Sequence, residues 1–287
     1  MPLKSLTSLR WRWPALALLS IAALAGCVGL DTQQRKWIFQ ARTTPDAIDG
    51  RSVGLTDVWI PLPPGKAAAA TTPQLHALWA DGPTPDAPVL LYLHGARRDV
   101  DASAFRIRQM QSLGFGVLAI DYRGFGRSSD ELPSERSVAE DARAGWTWLA
   151  AHHAGRDRYI FGHSLGGAIA VRLATEVDDA KGLIVEGTFT SIPAVVGTMK
   201  WGWLPVAPLI TQRFNSADRI AKVKVPVLVV HGDADALIRP ELGRALYERA
   251  ASPKRFVLVP GGTHYSTNGL GQAKYREALR ELFGVGT

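Results

Sequence analysis

A hydroxyl, a carboxylate and an imidazole able to work as one unit occur along this chain as Ser164, Asp233 or Asp235, and His264. A serine hydroxyl is a poor nucleophile until a base stands within hydrogen-bond reach. Imidazole suits that task, because it accepts the serine proton and later returns it to the leaving group. A carboxylate behind it fixes the tautomer and stabilises the imidazolium. The chemistry such a set performs is acyl transfer. Ser164 sits in Gly162-His163-Ser164-Leu165-Gly166, entered by the apolar Tyr159-Ile160-Phe161 and left by a small-residue helical pattern from Ala168 to Thr175. A strand, a tight turn and a helix in that order hold the serine in strained backbone geometry with its hydroxyl exposed. The pentapeptide by itself arises by chance, and its flanks are what make it a nucleophile candidate.

The elements that must position these residues are legible as apolar runs. Val89 to Leu93 is a continuous run of strand length, as in a strand covered on both faces. Similar runs recur at Gly116 to Ile120, Tyr159 to Phe161, Gly182 to Val185, Val225 to Val230 and Phe256 to Val259. Helical stretches separate them, at about Ala102 to Ser112, Ser137 to His152, Leu165 to Thr175, Glu241 to Ala250 and Ala273 to Phe283. This alternation predicts a mostly parallel, doubly wound α/β sheet in one domain. Two further strands, Leu55 to Ile60 and Gln74 to Ala80, make about eight, the second reading as a half-buried antiparallel edge. Residues 188 to 222 interrupt the alternation with Met199, Trp201, Trp203, Leu204, Leu209 and Ile210 among prolines. They predict a small helical cap, at about 190–220, with Trp201 and Trp203 toward substrate.

In such sheets reactive groups gather beyond the carboxyl ends of the strands. His94-Gly95-Ala96, Asp121-Tyr122-Arg123-Gly124, Ser164, His231-Gly232-Asp233-Ala234-Asp235 and Gly261-Gly262-Thr263-His264 all fall where an apolar run stops. With Leu-Tyr-Leu-His-Gly at 91 to 95, Asp-Tyr-Arg-Gly-Phe-Gly-Arg-Ser at 121 to 128 and Thr-Phe-Thr-Ser-Ile-Pro at 188 to 193, the chain resembles the α/β-hydrolases over roughly residues 50 to 285. Within them it is similar to the Bem46-like serine hydrolases. The resemblance implies the chain order Ser, Asp, His. Its His-Gly-x-x-Asp pattern points to Asp235 rather than Asp233 as the acid. It also implies an oxyanion hole made by the backbone N–H groups of Leu165 and Ala96. The remaining histidines read as structural: His163 packed beside the elbow, His94 and His231 bracing the rim loops, His76, His152 and His153 at a surface or edge. No histidine or acid cluster has metal-ligand spacing, and no cofactor is implied.

Composition bounds the rest. At 46% hydrophobic and 21% charged residues, the 287-residue chain has the make-up of a folded globular protein. Its net charge of +7 is dispersed rather than gathered in long basic runs, which argues against a nucleic-acid partner. The first dozen residues hold Lys4, Arg10 and Arg12 and no acid; an apolar stretch from about Pro14 to Ala25 follows, closing on Leu24-Ala25-Gly26-Cys27. This is the layout of an export signal. Its ending resembles the bacterial lipobox, which implies a signal peptide at 1–26, lipid on Cys27 and attachment to the cell envelope. Val28 after the cysteine leans toward the outer membrane. Cleavage after Ala25 to a soluble protein, or retention as an uncleaved anchor, are the alternatives. Residues 27–50 read as a polar tether and 51–287 as the hydrolase domain. The expected substrate is an acyl or lipid-like ester or thioester. A serine peptidase and a non-catalytic lipid- or partner-binding protein stand as other readings.

Overall fold

The computed structural model describes residues 26, 28–41, 54–63, 72–251 and 253–285. The export segment up to residue 25, Cys27 and residues 42–50 of the expected tether lie outside the described residues. The sheet has eight strands: β1 (Thr56–Pro61), β2 (Gln74–Ala80), β3 (Val89–Leu93), β4 (Gly116–Ile120), β5 (Arg158–His163), β6 (Ala180–Glu186), β7 (Val227–Gly232) and β8 (Lys254–Val259). Their spatial order is β1-β2-β4-β3-β5-β6-β7-β8, antiparallel from β1 through β4 and parallel from there on.

Each central strand is buried on both faces because helices cover both. Leu91 and Leu93 of β3 join one core with side chains of α3 (Glu135–His152) and α4 (Leu165–Ala174). Leu90 and Tyr92 face the other core, shared with α2 (Ala104–Ser112) and α9 (Gln272–Phe283). That split follows the two-residue period of a strand. Helix α3 starts at a reciprocal cap in which the Ser134 and Ser137 side chains each bond the other's backbone, satisfying donors a helix start would otherwise leave open. The cap comprises α5 (Ile192–Gly197), a 3₁₀ turn at Ala207–Leu209 and α6 (Ser216–Ile220). Helices α7 (Pro240–Arg249) and α8 (Thr267–Leu270) complete the chain order.

Two expectations are corrected. β2 is antiparallel as expected, but it lies inside β1, and all of it after Gln74 is buried; its alternation is that of residues facing two different cores, since Leu78 and Ala80 pack on the α2 side. The second concerns the segment read as a tether. Residues 28–39 form a helix, α1, docked on the body of the molecule. Its polar residues misled because they bond to other parts of the chain rather than to water: Asp31 and Gln34 to Thr211, and Arg35 to Pro133.

Candidate active site

The strand order reverses at β3, whose neighbours β4 and β5 lie on opposite sides. The crevice outside the carboxyl ends of β3 and β5 is therefore the switch point where ligands collect in open α/β sheets. Ser164 follows β5 at that point with φ 57° and ψ −122°. A non-glycine residue in such a conformation costs about 1–3 kcal/mol and persists only where its surroundings over-determine it. Here they do. Ser164 N–H donates to the Glu186 carbonyl at 2.9 Å, and the Ser164 carbonyl accepts from Thr188 Oγ1 at 2.8 Å and Gly167 N–H at 3.0 Å. Leu165 is the first residue of α4, so its N–H is one of the donors the helix itself cannot satisfy, at the end whose dipole favours an anion.

His264 comes to the elbow from the loop after β8. Its Nδ1 stands 2.8 Å from Asp235 Oδ2. Asp235 Oδ1 accepts the N–H groups of Leu237 (3.0 Å) and Ile238 (2.8 Å). Burial alone would raise the Asp235 carboxyl. The hydrogen bonds from His231 and His264 outweigh it and hold the group well below the usual carboxylate range. Asp233 is exposed and turned away, accepting the Gly261 N–H at 2.7 Å. The geometry thus separates the two aspartates that spacing alone left open. His231 Nε2 donates to the Ile238 carbonyl at 2.8 Å, bracing the turn that carries Asp235. Beside the serine, His163 Nε2 donates to the His264 carbonyl at 2.9 Å. Burial holds the His163 imidazole well below its ordinary range, aided by the Arg106 charge, and it acts as a neutral prop.

Ser164, His264, Ala96 and Leu165 line one cavity of about 580 Å³, a size ordinary for a small-molecule site at roughly 300–1,000 Å³. The cap supplies Val195, Met199 and Leu209 among other apolar walls. Trp201 and Trp203, expected toward substrate, stay outside this lining and are 62% and 74% exposed. Both lie in the turns between α5 and the 3₁₀ turn, where no helical face directs them inward. Gly95, Ala96, Arg97 and Arg98 bring the loop after β3 to the cavity, and the Tyr122 hydroxyl donates to the His94 carbonyl at 3.0 Å to hold that loop.

Three features escaped the sequence reading. His76, read as a surface or edge residue, is fully buried, with Nδ1 2.9 Å from Asp121 Oδ2 and Nε2 3.0 Å from Asp57 Oδ1. Asp121 also accepts the Val100 N–H at 2.8 Å, tying β2 to the loop after β3. Glu186 and Thr188 hold the elbow from the end of β6; an acid closing an otherwise apolar run was the signal available. The third is α1, whose Leu30, Gln34, Trp37 and Ile38 line the cavity together with Gln40 just after it.

A family model described as serine aminopeptidase, S33, matches residues 84–217 and 209–269. An uncharacterised protein of Mycobacterium tuberculosis is 37% identical over 198 residues, 68% of this chain and 69% of that protein. The lysophosphatidylserine lipase ABHD12 of Danio rerio is 32% identical over 185 residues, 58% of this chain and 48% of its own length, so this chain spans about half of that lipase. Among solved structures, the Pyrococcus furiosus esterase Pf2001 superposes with a TM-score of 0.65 at 19% identity, covering 85% of this chain and 99% of that one. Est1E of Butyrivibrio proteoclasticus with ferulic acid bound gives 0.64 at 21%, covering 79% and 99%. At such identities the likeness is one of fold, that of the α/β-hydrolases.

Proposed function

This chain belongs to the Hydrolase_4 family of α/β-hydrolases, and from that membership we propose that it is a serine hydrolase cleaving carboxylic esters or thioesters of an apolar acyl group. One observation carries the reading: a largely apolar cavity has Ser164 and His264 in its wall, with His264 Nδ1 on the Asp235 carboxylate. In the proposed mechanism, Ser164 Oγ attacks the carbonyl carbon while His264 Nε2 takes its proton. The oxyanion draws the N–H groups of Leu165 and Ala96. As the tetrahedral adduct collapses, the imidazolium gives the proton to the departing alkoxide or thiolate and the acyl group remains on Ser164. Water, deprotonated by His264, then releases the carboxylic acid and restores the serine.

The family description raises a peptidase reading. An aminopeptidase must hold its substrate's terminal ammonium, and a carboxylate suits that best. Among the described residues lining the cavity, the charged side chains other than histidine are Arg97, Arg98 and Arg106, all cationic. That favours an ester over an amino-terminal peptide.

A fluorophosphonate probe should label the folded wild type and not Ser164→Ala, and ester turnover should fall by at least about 10⁴-fold in that variant. A folded wild type that takes no label would point instead to a non-catalytic binding protein.

We place the protein in the bacterial cell envelope, anchored through lipid on Cys27. Cys27 directly precedes residues that run into the cavity wall, and exposed apolar side chains ring the same mouth, including Trp37 and Tyr265. Rings of this kind suit a membrane interface. Cys27→Ala should leave the membrane fraction for the soluble one; a variant that stays with membranes at unchanged mass would sink the lipid-anchor reading.

A further inference from the structure

The mechanism above leaves helix α1 without a task, yet it is tied both to the cap and to the loop after β3. Leu30, Gln34, Trp37 and Ile38 follow one another at the spacing of a single helical face, and all four line the cavity that holds Ser164. The helix is latched to the cap. Asp31 accepts from Thr211 Oγ1 at 2.7 Å and Gln212 Nε2 at 2.8 Å. The Gln34 side chain accepts the Thr211 N–H at 2.9 Å and donates to the Leu209 carbonyl at 2.7 Å. Arg35 donates to the Pro133 carbonyl at 2.8 Å and also to that of Leu132.

At its far end α1 reaches the catalytic loop. Phe39 is buried between Phe125 and Phe214, with ring centroids 6.4 and 5.9 Å away. The Phe39 carbonyl accepts the Arg97 N–H at 2.9 Å, one residue past Ala96. α1 therefore bridges the cap and the loop after β3, closing a side of the cavity that neither of them covers.

We infer that α1 is a working wall of the substrate site, against which an extended acyl chain lies, and that residues 37 and 38 set the preference for acyl-chain length. This rests on the ester-hydrolase reading for its turnover consequences, though not for its binding ones. The cavity's aliphatic lining and the apolar face of α1 suit a saturated or long unsaturated chain better than a compact aromatic acid. Each methylene that α1 covers contributes roughly fourfold to kcat/KM.

The test uses the full-length protein with p-nitrophenyl butyrate, octanoate and laurate, alongside calorimetric titration of laurate into Ser164→Ala. Wild type should favour the longer esters. In Trp37→Ala that advantage should shrink at least about tenfold through a higher KM for laurate, and Ile38→Trp, which fills the channel, should abolish it. Thermal melts should show that both variants are folded, and the readout is the ratio of laurate to butyrate kcat/KM, whatever the absolute butyrate rate becomes. Laurate should bind Ser164→Ala and lose that binding when Ile38→Trp is added. Unchanged length profiles in both variants, or laurate binding indifferent to position 38, would overturn the inference even with esterase activity intact. The opposite result, laurate binding governed by α1 in a protein that cleaves no ester, would uphold the inference and refute the esterase reading.

Discussion

Replacing Asp235 by asparagine should lower kcat by about 10⁴-fold while leaving KM and the fold nearly unchanged. The reason lies in which end of the new side chain can face His264. Asp235 Oδ1 is fixed by the N–H groups of Leu237 and Ile238, and in asparagine only the carbonyl oxygen can keep those two bonds. The amide nitrogen must then take the place of Oδ2, 2.8 Å from His264 Nδ1. Two donors cannot face each other, so His264 would carry its proton on Nε2 and have none of its basicity left for Ser164. Neighbouring Asp233 tests the assignment, because its exposed side chain accepts the Gly261 N–H, and an asparagine oxygen can replace that contact. Steady-state kinetics on purified Asp235→Asn and Asp233→Asn, with thermal melts of both, would check this. A large loss in Asp233→Asn with near-normal turnover in Asp235→Asn would transfer the role.

That the turns carrying Asp235 and His264 share one rim was legible in the chain because each follows an apolar run of strand length; which aspartate meets His264 came from the family resemblance, and the geometry puts Asp235 there. The same logic placed Ser164 and Ala96 at adjoining strand ends across the switch point, and the sheet has the eight strands expected. Boundaries moved by a residue or two, as with β7, which runs to Gly232 because its ladder with β8 continues past the apolar run. What the chain did not reveal depends on contacts between residues far apart in sequence. Asp31 and Gln34 read as solvent-facing because their partners, Thr211 and Gln212, lie some 180 positions later. His76 read as an edge residue because nothing near it in sequence tells that Asp121 will close over it. Trp201 and Trp203 carried an apolar signal without a direction, since a broken helical pattern defines no face.

The elbow offers the second large effect, and here it is on stability. A Cβ on Gly166 would lie 2.1 Å from the Leu93 carbonyl oxygen and 2.5 Å from that of His94. One on Gly162 would lie 2.2 Å from the Gly166 carbonyl oxygen. These obstacles are backbone atoms of β3 and α4, and no side-chain rotation relieves them. Overpacking that side chains can absorb costs about 1–3 kcal/mol; moving a central strand against its helix belongs at or above the top of that range. For a domain of this size roughly 3 kcal/mol corresponds to a fall in Tm of about 6–12 °C. Gly166→Ala and Gly162→Ala should therefore melt at least that much earlier or fail to accumulate as soluble protein. Gly197 is the control, because it closes α5 with open space where a Cβ would go; alanine there should be neutral or stabilising by up to about 1 kcal/mol. Where Gly166→Ala does fold, the displaced start of α4 carries Leu165 N–H and Ser164 with it, so fluorophosphonate labelling should slow even at temperatures well below the melt. Normal Tm and normal labelling in Gly166→Ala would mean that β3 and α4 are not in the close contact on which the nucleophile's geometry depends.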